Sequence, residues 1–524
     1  MDDFEDDDID EELAKELAHS RPLDVHVWSE HPEANKFVDG IYAEFFKERK
    51  AEIAKKHLKV VVLDLYVAWT EDPTLKIAVP RNVNVYKAKS RYNELHISAK
   101  VISVVDTLKA AGLIDGKDGF FNHHDGSGRV SRIWPTEALV ERFKQALFTE
   151  FDIQYQEDRK AVILRTTEPQ QGEDGRARKT DVEFVDDDNT LAMEKMLKDY
   201  NALLRRTFID IPILDDKGIL NGIAKQPEKK PVSLRDKFVR RVFNRRSFEC
   251  GGRFYGGFWQ RCPKEWRPHI VINRKPTNEL DFSGLHIVMA YALKGICYWR
   301  EIGNDPYAIE PLDFAQDDAF RRSICKSLML VLLNAKDKKA AFKAFRSQAK
   351  DGSPEKQFKD QELEVLYQAL VRKHEPIKDY FHADQGIHLM HLDSQITERI
   401  LAKLTAQGIP VLALHDSYIV PCGYEDYLEC LMKDAFKAIL GISLVMKDDA
   451  KGDIRKPDAI KEGQERLEDL ENMLMAIYMP YEELQDIQLE TEKRYFERVK
   501  PANTDRYIIN LNKYNAYIRT YKLL

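Results

Sequence analysis

Alternation of apolar and polar positions predicts three helices and a hairpin in the first part of the chain. The stretch "LKVVVLDLYVAW" from residue 58 is almost continuously apolar, as in a buried helix, and "RYNEL" at 91–95 predicts a short second helix. "SAKVISVVDTLKAAGLI" has helical periodicity, with Ser98 as its N-cap and Gly112 as its stop. Apolar runs on both sides of "HHDGSG" predict a β-hairpin, and a further helix starts near Thr136.

This order of elements resembles a winged helix-turn-helix, at about 58–145 within a first domain at 21–150. The resemblance implies that the helix at 98–111 enters a nucleic-acid groove and that Arg129 and Arg132 lie on the wing. The alternative is a protein contact module, because function does not follow from fold.

Two apolar strands farther along the chain end in an aspartate. In "TNELDFSGLHIVMAYALKGI" a short strand ends at Asp281 and a helical period follows. In "GIPVLALHDSYIVP" two strands flank a turn from His415 to Ser417, which contains Asp416. A carboxylate in such surroundings is costly unless it is paired. Aspartates at neighbouring strand tips can hold two Mg²⁺ (or Mn²⁺) ions about 3.5 to 4 Å apart, which would activate a 3′ hydroxyl and stabilise a leaving pyrophosphate.

Charge is unevenly distributed along the chain. The formal net charge is −7, yet residues 225–275 hold 15 Lys or Arg and 4 Asp or Glu. Aromatic residues are interleaved with these arginines, which suits phosphate contacts beside stacked bases. A solvated basic face above core aromatics is the alternative.

Several polar side chains near the strands are candidates for nucleic-acid and nucleotide contacts. In "GGRFYGGFWQRCPKEWR", Arg253 and Arg267 offer phosphate contacts, and Gln260 offers an amide that could read a base edge. Between the two aspartates, Arg322 and Lys326 are four residues apart, so on one helix face they can grip a triphosphate together. A solvated helix face would give the same spacing.

In this order, the motifs resemble the palm and fingers of the single-subunit nucleic-acid polymerases, which include family A DNA polymerases and the phage and mitochondrial RNA polymerases. The resemblance covers about 235–450, and "GGRF" with "QRCP" is similar to a Gly-Arg and Gln-x-x-Pro pattern of the DNA polymerases. It implies an antiparallel palm sheet and binding of a DNA template and primer.

The resemblance also implies roles for individual residues. Asp281, the backbone carbonyl of Phe282 and Asp416 would ligate the metal. Arg322 and Lys326 would bind the triphosphate, and His415 would lie near the primer end.

The chain departs from the family at positions that affect the product. Leu330 and Asn334 stand where the family's fingers helix usually has a tyrosine, so base stacking by that helix is in doubt. His286, five residues beyond Asp281, is bulky and favours deoxynucleotides, whereas Ser417 is typical of the RNA polymerases. A DNA polymerase is therefore favoured over an RNA polymerase or primase.

The predicted fold class is multidomain α+β. An acidic, disordered tail at 1–20 precedes the first domain, because nine of the first 12 residues are acidic. A connector or thumb-like helical region at 151–234, including a polar linker at 167–180, leads to the polymerase region at 235–450. A helical region at 451–524 completes the chain.

The cellular setting is predicted to be intracellular and cytoplasmic. The acidic N-terminus lacks the features of a secretory signal, and no apolar run is long enough for a membrane span. Six cysteines are scattered without a CxxC pair, which argues against a disulfide framework.

Two other functions compete with the polymerase. One is a non-catalytic DNA-binding replication initiator or regulator with a degenerate palm, which Asn334 and short fingers make conceivable. The other is a metal-dependent phosphohydrolase of the His-Asp type, although the chain's histidines form no matching His-Asp series. Protein partners in replication or defence cannot be named from the sequence.

Overall fold

The structure is a computed structural model that describes residues 16–46, 51–121, 128–168, 178–212, 214, 232–264, 266–446 and 504–521. Helices contain 50% of the residues and strands contain 16%, and the strands lie in several separate sheets. This composition confirms the α+β class. In the part of the chain that is described, no helix is both long and apolar enough to cross a membrane.

The N-terminal unit folds around its own apolar core. Its helices are α1 (Pro32–Phe45), α2 (Ala51–Glu71), α3 (Lys100–Ala110) and α4 (Glu137–Lys144). Its four-stranded sheet has the order β1 (Ser20–Pro22), β3 (Lys76–Val79), β7 (Ser131–Pro135) and β4 (Ile114–Lys117). A separate two-stranded pair joins β2 (Val27–Trp28) to β8 (Gln154–Tyr155).

Periodicity explains the two central helices of this unit. In α2, residues 60–63 are all fully buried, because α2 is packed against the unit's other elements on several sides. In α3, Val101, Val104, Val105 and Leu108 are buried at the spacing of one helical face. Both helices confirm the sequence prediction.

A hairpin follows α3, also as predicted. β4 and β7 pair antiparallel, and the arm continues in β5 (Phe120–Phe121) and β6 (Gly128–Arg129). Residues 123–127 of the "HHDGSG" turn lie outside the described residues, and its last residue, Gly128, begins β6.

A second four-stranded sheet is formed by strands from 162–182 and 240–255. Its order is β10 (Arg178–Val182), β9 (Val162–Glu168), β12 (Arg240–Asn244) and β13 (Ser247–Tyr255). β9 and β12 run parallel, and the other pairs are antiparallel. Helices α5 (Asp188–Arg205) and α11 (Gln385–Ala406) pack against this sheet.

The third sheet is antiparallel and five-stranded. Its order is β11 (Ile209–Asp210), β14 (Val271–Ile272), β15 (Lys275–Asp281), β17 (Ser417–Pro421) and β16 (Leu412–Leu414). The β16–β17 hairpin and the strand before Asp281 are those predicted from the sequence.

A helical segment connects β15 to β16. Its helices before α11 are α6 (Leu285–Ala292), α7 (Tyr298–Glu301), α8 (Asp318–Leu332), α9 (Lys338–Gln348) and α10 (Asp360–Lys373). These helices share one large apolar core with the second and third sheets. The predicted helices after Asp281 and around Arg322 are thereby confirmed.

Among the described residues, two helices follow the third sheet. α12 (Glu425–Leu440) packs on α11, and α13 (Thr504–Tyr521) places Tyr507 and Leu511 in a small core with Phe208 and Val271. The rest of the predicted C-terminal helical region, at 451–503, lies outside the described residues.

Some predictions of local structure were wrong. Residues 91–95 form turns rather than a helix, because Tyr92 donates to the Val182 carbonyl of β10 and Arg91 pairs with Asp186 just beyond that strand. Residues 16–20 are ordered, with Leu17 buried, so the predicted disordered tail does not extend this far; residues 1–15 lie outside the described part. The connector at 151–234 contributes strands β8 to β11 as well as a helix, and β9 and β10 extend into the predicted linker.

Candidate active site

Strand pairing brings Asp281 and Asp416 together. Asp281 ends β15 and faces Ser417, the first residue of β17, across the antiparallel ladder. The backbone N–H of Phe282 donates to the carbonyl oxygen of Asp416 at 3.1 Å. The two predicted metal ligands are therefore neighbours at one edge of the third sheet.

The electrostatics of this edge favour a bound cation. Desolvation, and then the carboxylates of Asp416 and Glu279, raise the pKa of Asp281 to about 6. The positive charges of Lys326 and Lys264 oppose this rise. The pair of aspartates thus carries more negative charge than its surroundings neutralise.

Hard oxygen donors suit Mg²⁺ or Mn²⁺. The structure offers the carboxylates of Asp281 and Asp416, with the Phe282 backbone between strand and helix as the third predicted donor. Among the described residues there is no cluster of three or more His, Cys, Asp or Glu side chains arranged to hold a metal. A pair of carboxylates still fits a metal that keeps several waters or substrate oxygens as its other ligands.

His415 sits in a strained backbone conformation beside Asp416. Its φ angle is +59°, which is uncommon for a residue with a Cβ. Its Nδ1 is buried and has no hydrogen-bond partner in the described structure. The ring of Tyr255 contacts the His415 ring edge to face, with centroids 5.6 Å apart. A backbone outlier with an unpartnered ring nitrogen next to Asp416 makes His415 a candidate functional residue.

A buried charge network lies behind the aspartates. Arg253 donates from Nε to Asp393 at 2.7 Å and from Nη2 to His286 Nε2 at 3.0 Å. Burial, and then the Arg253 charge, lower the pKa of His286 to about 3, so its ring is neutral and accepts this hydrogen bond. Burial raises the pKa of Asp393 to about 7, although Arg253 opposes the rise. Arg253 and His286 were predicted to bind nucleic acid and nucleotide, and the structure joins them.

Gln260 and Arg267 are engaged within the protein. The Gln260 amide donates to the carbonyls of Phe254 and Ala413, each at 3.0 Å, and accepts from Gly256. Arg267 donates to Glu279 at 3.1 Å. The predicted base-reading role of Gln260 would require these internal hydrogen bonds to break, so the geometry favours a structural role for its amide.

The two basic residues of α8 differ in their surroundings. Arg322 is ion-paired with Asp305 at 2.7 Å and lies over the Tyr307 ring, 5.4 Å from its centroid. Lys326 is exposed, and its charge acts on Asp281. α8 therefore contributes at least one exposed cation, Lys326, whose charge reaches Asp281.

Arg129 and Arg132 lie on the hairpin of the N-terminal unit, as predicted. Arg132 donates to the Leu17 carbonyl and to Ser20 Oγ, which ties the hairpin to β1. The Arg129 guanidinium lies over Phe120, which is 56% exposed. Arg129 is thus the better placed of the two for a ligand.

Sequence reasoning missed three side chains at the site. The carboxylates of Asp393 and Glu279 interact electrostatically with the aspartate pair. Burial, and then the charges of Asp416 and Asp281, raise the pKa of Tyr307 to about 12, and the charge of Arg322 opposes this rise. The available signal for Asp393 was an acidic residue within the apolar stripe of a helix. The other two carried no signal in the sequence.

Comparison of the chain with protein-family models, with curated proteins and with solved structures finds no match. The arrangement of the residues at the site therefore carries the functional argument.

Proposed function

We propose that this protein is a template-directed nucleotidyltransferase that extends or starts a nucleic-acid chain by two-metal catalysis, with DNA as the favoured product. The observation that supports this most is the pairing of β15 with β17, which puts Asp281 and Asp416 side by side. Both aspartates follow strands of one antiparallel sheet, the arrangement expected of a polymerase palm.

The proposed roles follow from the charges around the pair. Asp281 and Asp416 would hold the metal with the Phe282 carbonyl, and Lys326 would contact the triphosphate. Bound Mg²⁺ would supply charge stabilisation for an attacking hydroxyl and a departing pyrophosphate. Arg322 would join Lys326 by exchanging its ion pair with Asp305 for a phosphate, which a flexible guanidinium can do. Catalysis of this kind is mostly positioning and electrostatic stabilisation.

His286 supports a preference for deoxynucleotides. Its neutral ring is fixed by Arg253 at the first turns of α6, immediately after Asp281. A bulky ring at this place would leave less room for a ribose 2′ hydroxyl than a small residue would.

The N-terminal unit is proposed to be a winged-helix domain that binds nucleic acid. The strand order β3–β7–β4, with α3 before the β4–β7 hairpin, supports this assignment. The polar face of α3 exposes Ser103 and Lys109, and the hairpin presents Arg129. This domain would recruit the catalytic half to a particular site.

A non-catalytic initiator or regulator that binds DNA is the second candidate. The ion pair of Arg322 with Asp305 and the internal hydrogen bonds of Gln260 favour it, because both withdraw predicted substrate contacts. The two functions separate on metal-dependent consumption of triphosphates.

The test is an incorporation assay with Mg²⁺ or Mn²⁺, a primed and an unprimed template, and labelled dNTPs or NTPs. We expect incorporation that Asp281→Ala and Asp416→Ala each reduce by on the order of 10³-fold or more, because each removes a ligand of the catalytic charge. A preference for dNTPs that is relaxed in His286→Ala would support the role of that ring.

Asp384→Ala is the matched control, since it removes an aspartate on the same half of the protein that pairs with Arg245 at the surface. Near wild-type incorporation by Asp416→Ala would contradict the proposal. Intact DNA binding without incorporation under every condition would favour the initiator.

A further inference from the structure

The register of the second sheet gathers arginines on one face. Arg240 is the partner of Tyr255 across β12 and β13, so their side chains share a face. The next residue, Arg241, is the partner of Val162 of β9 and points to the other face, where it pairs with Glu398 of α11. Arg165, three residues after Val162, therefore returns to the face of Arg240.

Arg159 completes the group from the loop before β9. Its guanidinium lies over the Phe238 ring, 4.1 Å from the centroid. Burial, and then the positive charges of Arg159 and Arg165, lower the pKa of Arg240. Three guanidinium groups thus act on one another at the seam between the N-terminal unit and the second sheet.

These guanidinium groups are incompletely paired. Nε of Arg240 is buried and has no hydrogen-bond partner among the described residues. Three arginines here face two carboxylates, since the charge of Arg159 acts on Asp24 and Arg165 pairs with Asp181. The acidic groups facing the cluster are Asp181, which pairs with Arg165 at 2.6 Å, and Asp24. An unpaired buried cation is costly, and an anion in this place would remove that cost.

The cluster is continuous with the candidate active site. Tyr255, the strand partner of Arg240, contacts the ring of His415, the neighbour of Asp416. A nucleic-acid strand that followed this face towards the aspartates would pass the arginines before it reached Tyr255 and His415.

We propose that Arg159, Arg165 and Arg240 bind the phosphate backbone of the template and primer where these strands approach Asp416. This inference deepens the proposed function and rests on it. Arg159 and Arg165 precede the basic segment at 225–275, so the face is assembled by the sheet rather than by one stretch of sequence. It would track the backbone without reading bases.

The test measures binding of labelled primed DNA and of single-stranded DNA by fluorescence anisotropy over a range of salt concentrations, without metal or triphosphates. Each lost phosphate contact lowers the slope of log K against log salt by about 0.9 on duplex and about 0.7 on single strands. We expect Arg159→Ala/Arg240→Ala to lower the slope by about 1.8 if duplex occupies the face and by about 1.4 if a single strand does. The single variant Arg159→Ala, at a partly exposed position, should lower it by about 1.

Two matched variants control the test. Arg240→Lys keeps the charge and should keep the slope, and Arg346→Ala removes an arginine that pairs with Asp360 away from this face. Slopes of Arg159→Ala and the double variant equal to that of Arg346→Ala on both DNA forms would overturn the inference.

The inference and the proposed function can fail separately. If incorporation depends on Asp416 but the salt slope is the same with and without the arginines, only the proposed phosphate binding by these arginines is wrong. If loss of the arginines lowers the slope but no nucleotide is incorporated, phosphate binding by the arginines stands and the proposed polymerase activity is wrong.

Discussion

Carboxylates around the candidate site differ in how their charge is balanced. Asp393 is fully buried and is bound by Arg253, whose side chain is 19% exposed. Asp281 lies at the open end of β15, where Asp416 and Glu279 oppose its ionisation more than Lys326 favours it. Arg253 thus offsets only part of the burial of Asp393, whose pKa is still raised to about 7, whereas Asp281 and Asp416 lie together where solvent can reach Asp281.

This imbalance predicts an unusual pH dependence for Asp281→Asn. The pKa of Asp281 is raised on folding, from 3.8 to about 6, so its contribution to stability is present below pH 4 and is lost as pH rises through 6. In EDTA at pH 8 we expect the Asn variant to be more stable than wild type, by on the order of 1 kcal/mol after solvent screening. The difference should vanish near pH 4 in thermal unfolding.

Metal and a control variant sharpen this prediction. Mg²⁺ should raise the melting temperature of wild type and leave that of Asp281→Asn nearly unchanged. Asp384→Asn should show the opposite pH trend, since Arg245 lowers the pKa of Asp384. A lower melting temperature for Asp281→Asn than for wild type at pH 8 would show that the acid pair is already neutralised.

Local pattern determined most elements but not those fixed by distant contacts. The period of α3 and the strands that end at Asp281 and Asp416 depend on neighbouring residues, so the sequence predicted them. The helix predicted at 91–95 was wrong because the Tyr92 hydroxyl donates to the Val182 carbonyl and accepts from the Leu164 N–H. Both partners lie in strands far along the chain. Asp393 was missed for the same reason, since its partner Arg253 is 140 residues away.

The irregular register between β12 and β13 includes Gly252, which the pairing skips. Its φ angle is +83°, and an added Cβ would lie 2.6 Å from the Phe243 ring and 2.8 Å from Ser394 Oγ. Its carbonyl accepts from Arg241 Nε at 3.0 Å. We expect Gly252→Ala to cost about 3 kcal/mol or more in urea unfolding, from backbone strain plus displaced core atoms.

Gly112→Ala is the control for backbone strain alone. Gly112 also has a positive φ, +69°, but an added Cβ would meet nothing within 4 Å. Its substitution should cost about 1 kcal/mol. Equal costs for the two variants would mean that β13 can move away from Phe243.

On the scale of the whole molecule, separate cores are joined by polar contacts. Arg91 of the N-terminal unit pairs with Asp186, and Glu71 of α2 accepts a hydrogen bond from Ser233. α13 adds a further link, because Lys513 pairs with Glu150 while Arg506 pairs with Asp210 of β11. The N-terminal unit is therefore held in place beside the second and third sheets.

Removing Arg506 should release α13. Asp210 is 2% exposed, and Arg506 also donates to the carbonyls of Leu214 and Ile211. Loss of the cation leaves the buried carboxylate of Asp210 without its ion pair, although the Asn510 amide and the Ile211 backbone N–H still donate to it, so we expect Arg506→Ala to cost about 3 kcal/mol. Hydrogen exchange at 504–521 should accelerate well before exchange in α2.

Arg519→Ala, an exposed position on the same helix, should leave exchange unchanged. Unchanged protection of 504–521 in Arg506→Ala would show that apolar contacts of Tyr507 and Leu511 suffice to hold the helix.

The pairing of β15 with β17 has a consequence for the order of folding. The strands are separated by on the order of 100 residues, so bringing their ends together costs about 4 kcal/mol of chain entropy before any contact repays it. Long-range pairing of this kind tends to form late. Partly folded molecules would therefore hold the two aspartates apart, and the proposed metal-dependent activity would return during refolding only after the helices between the strands have packed.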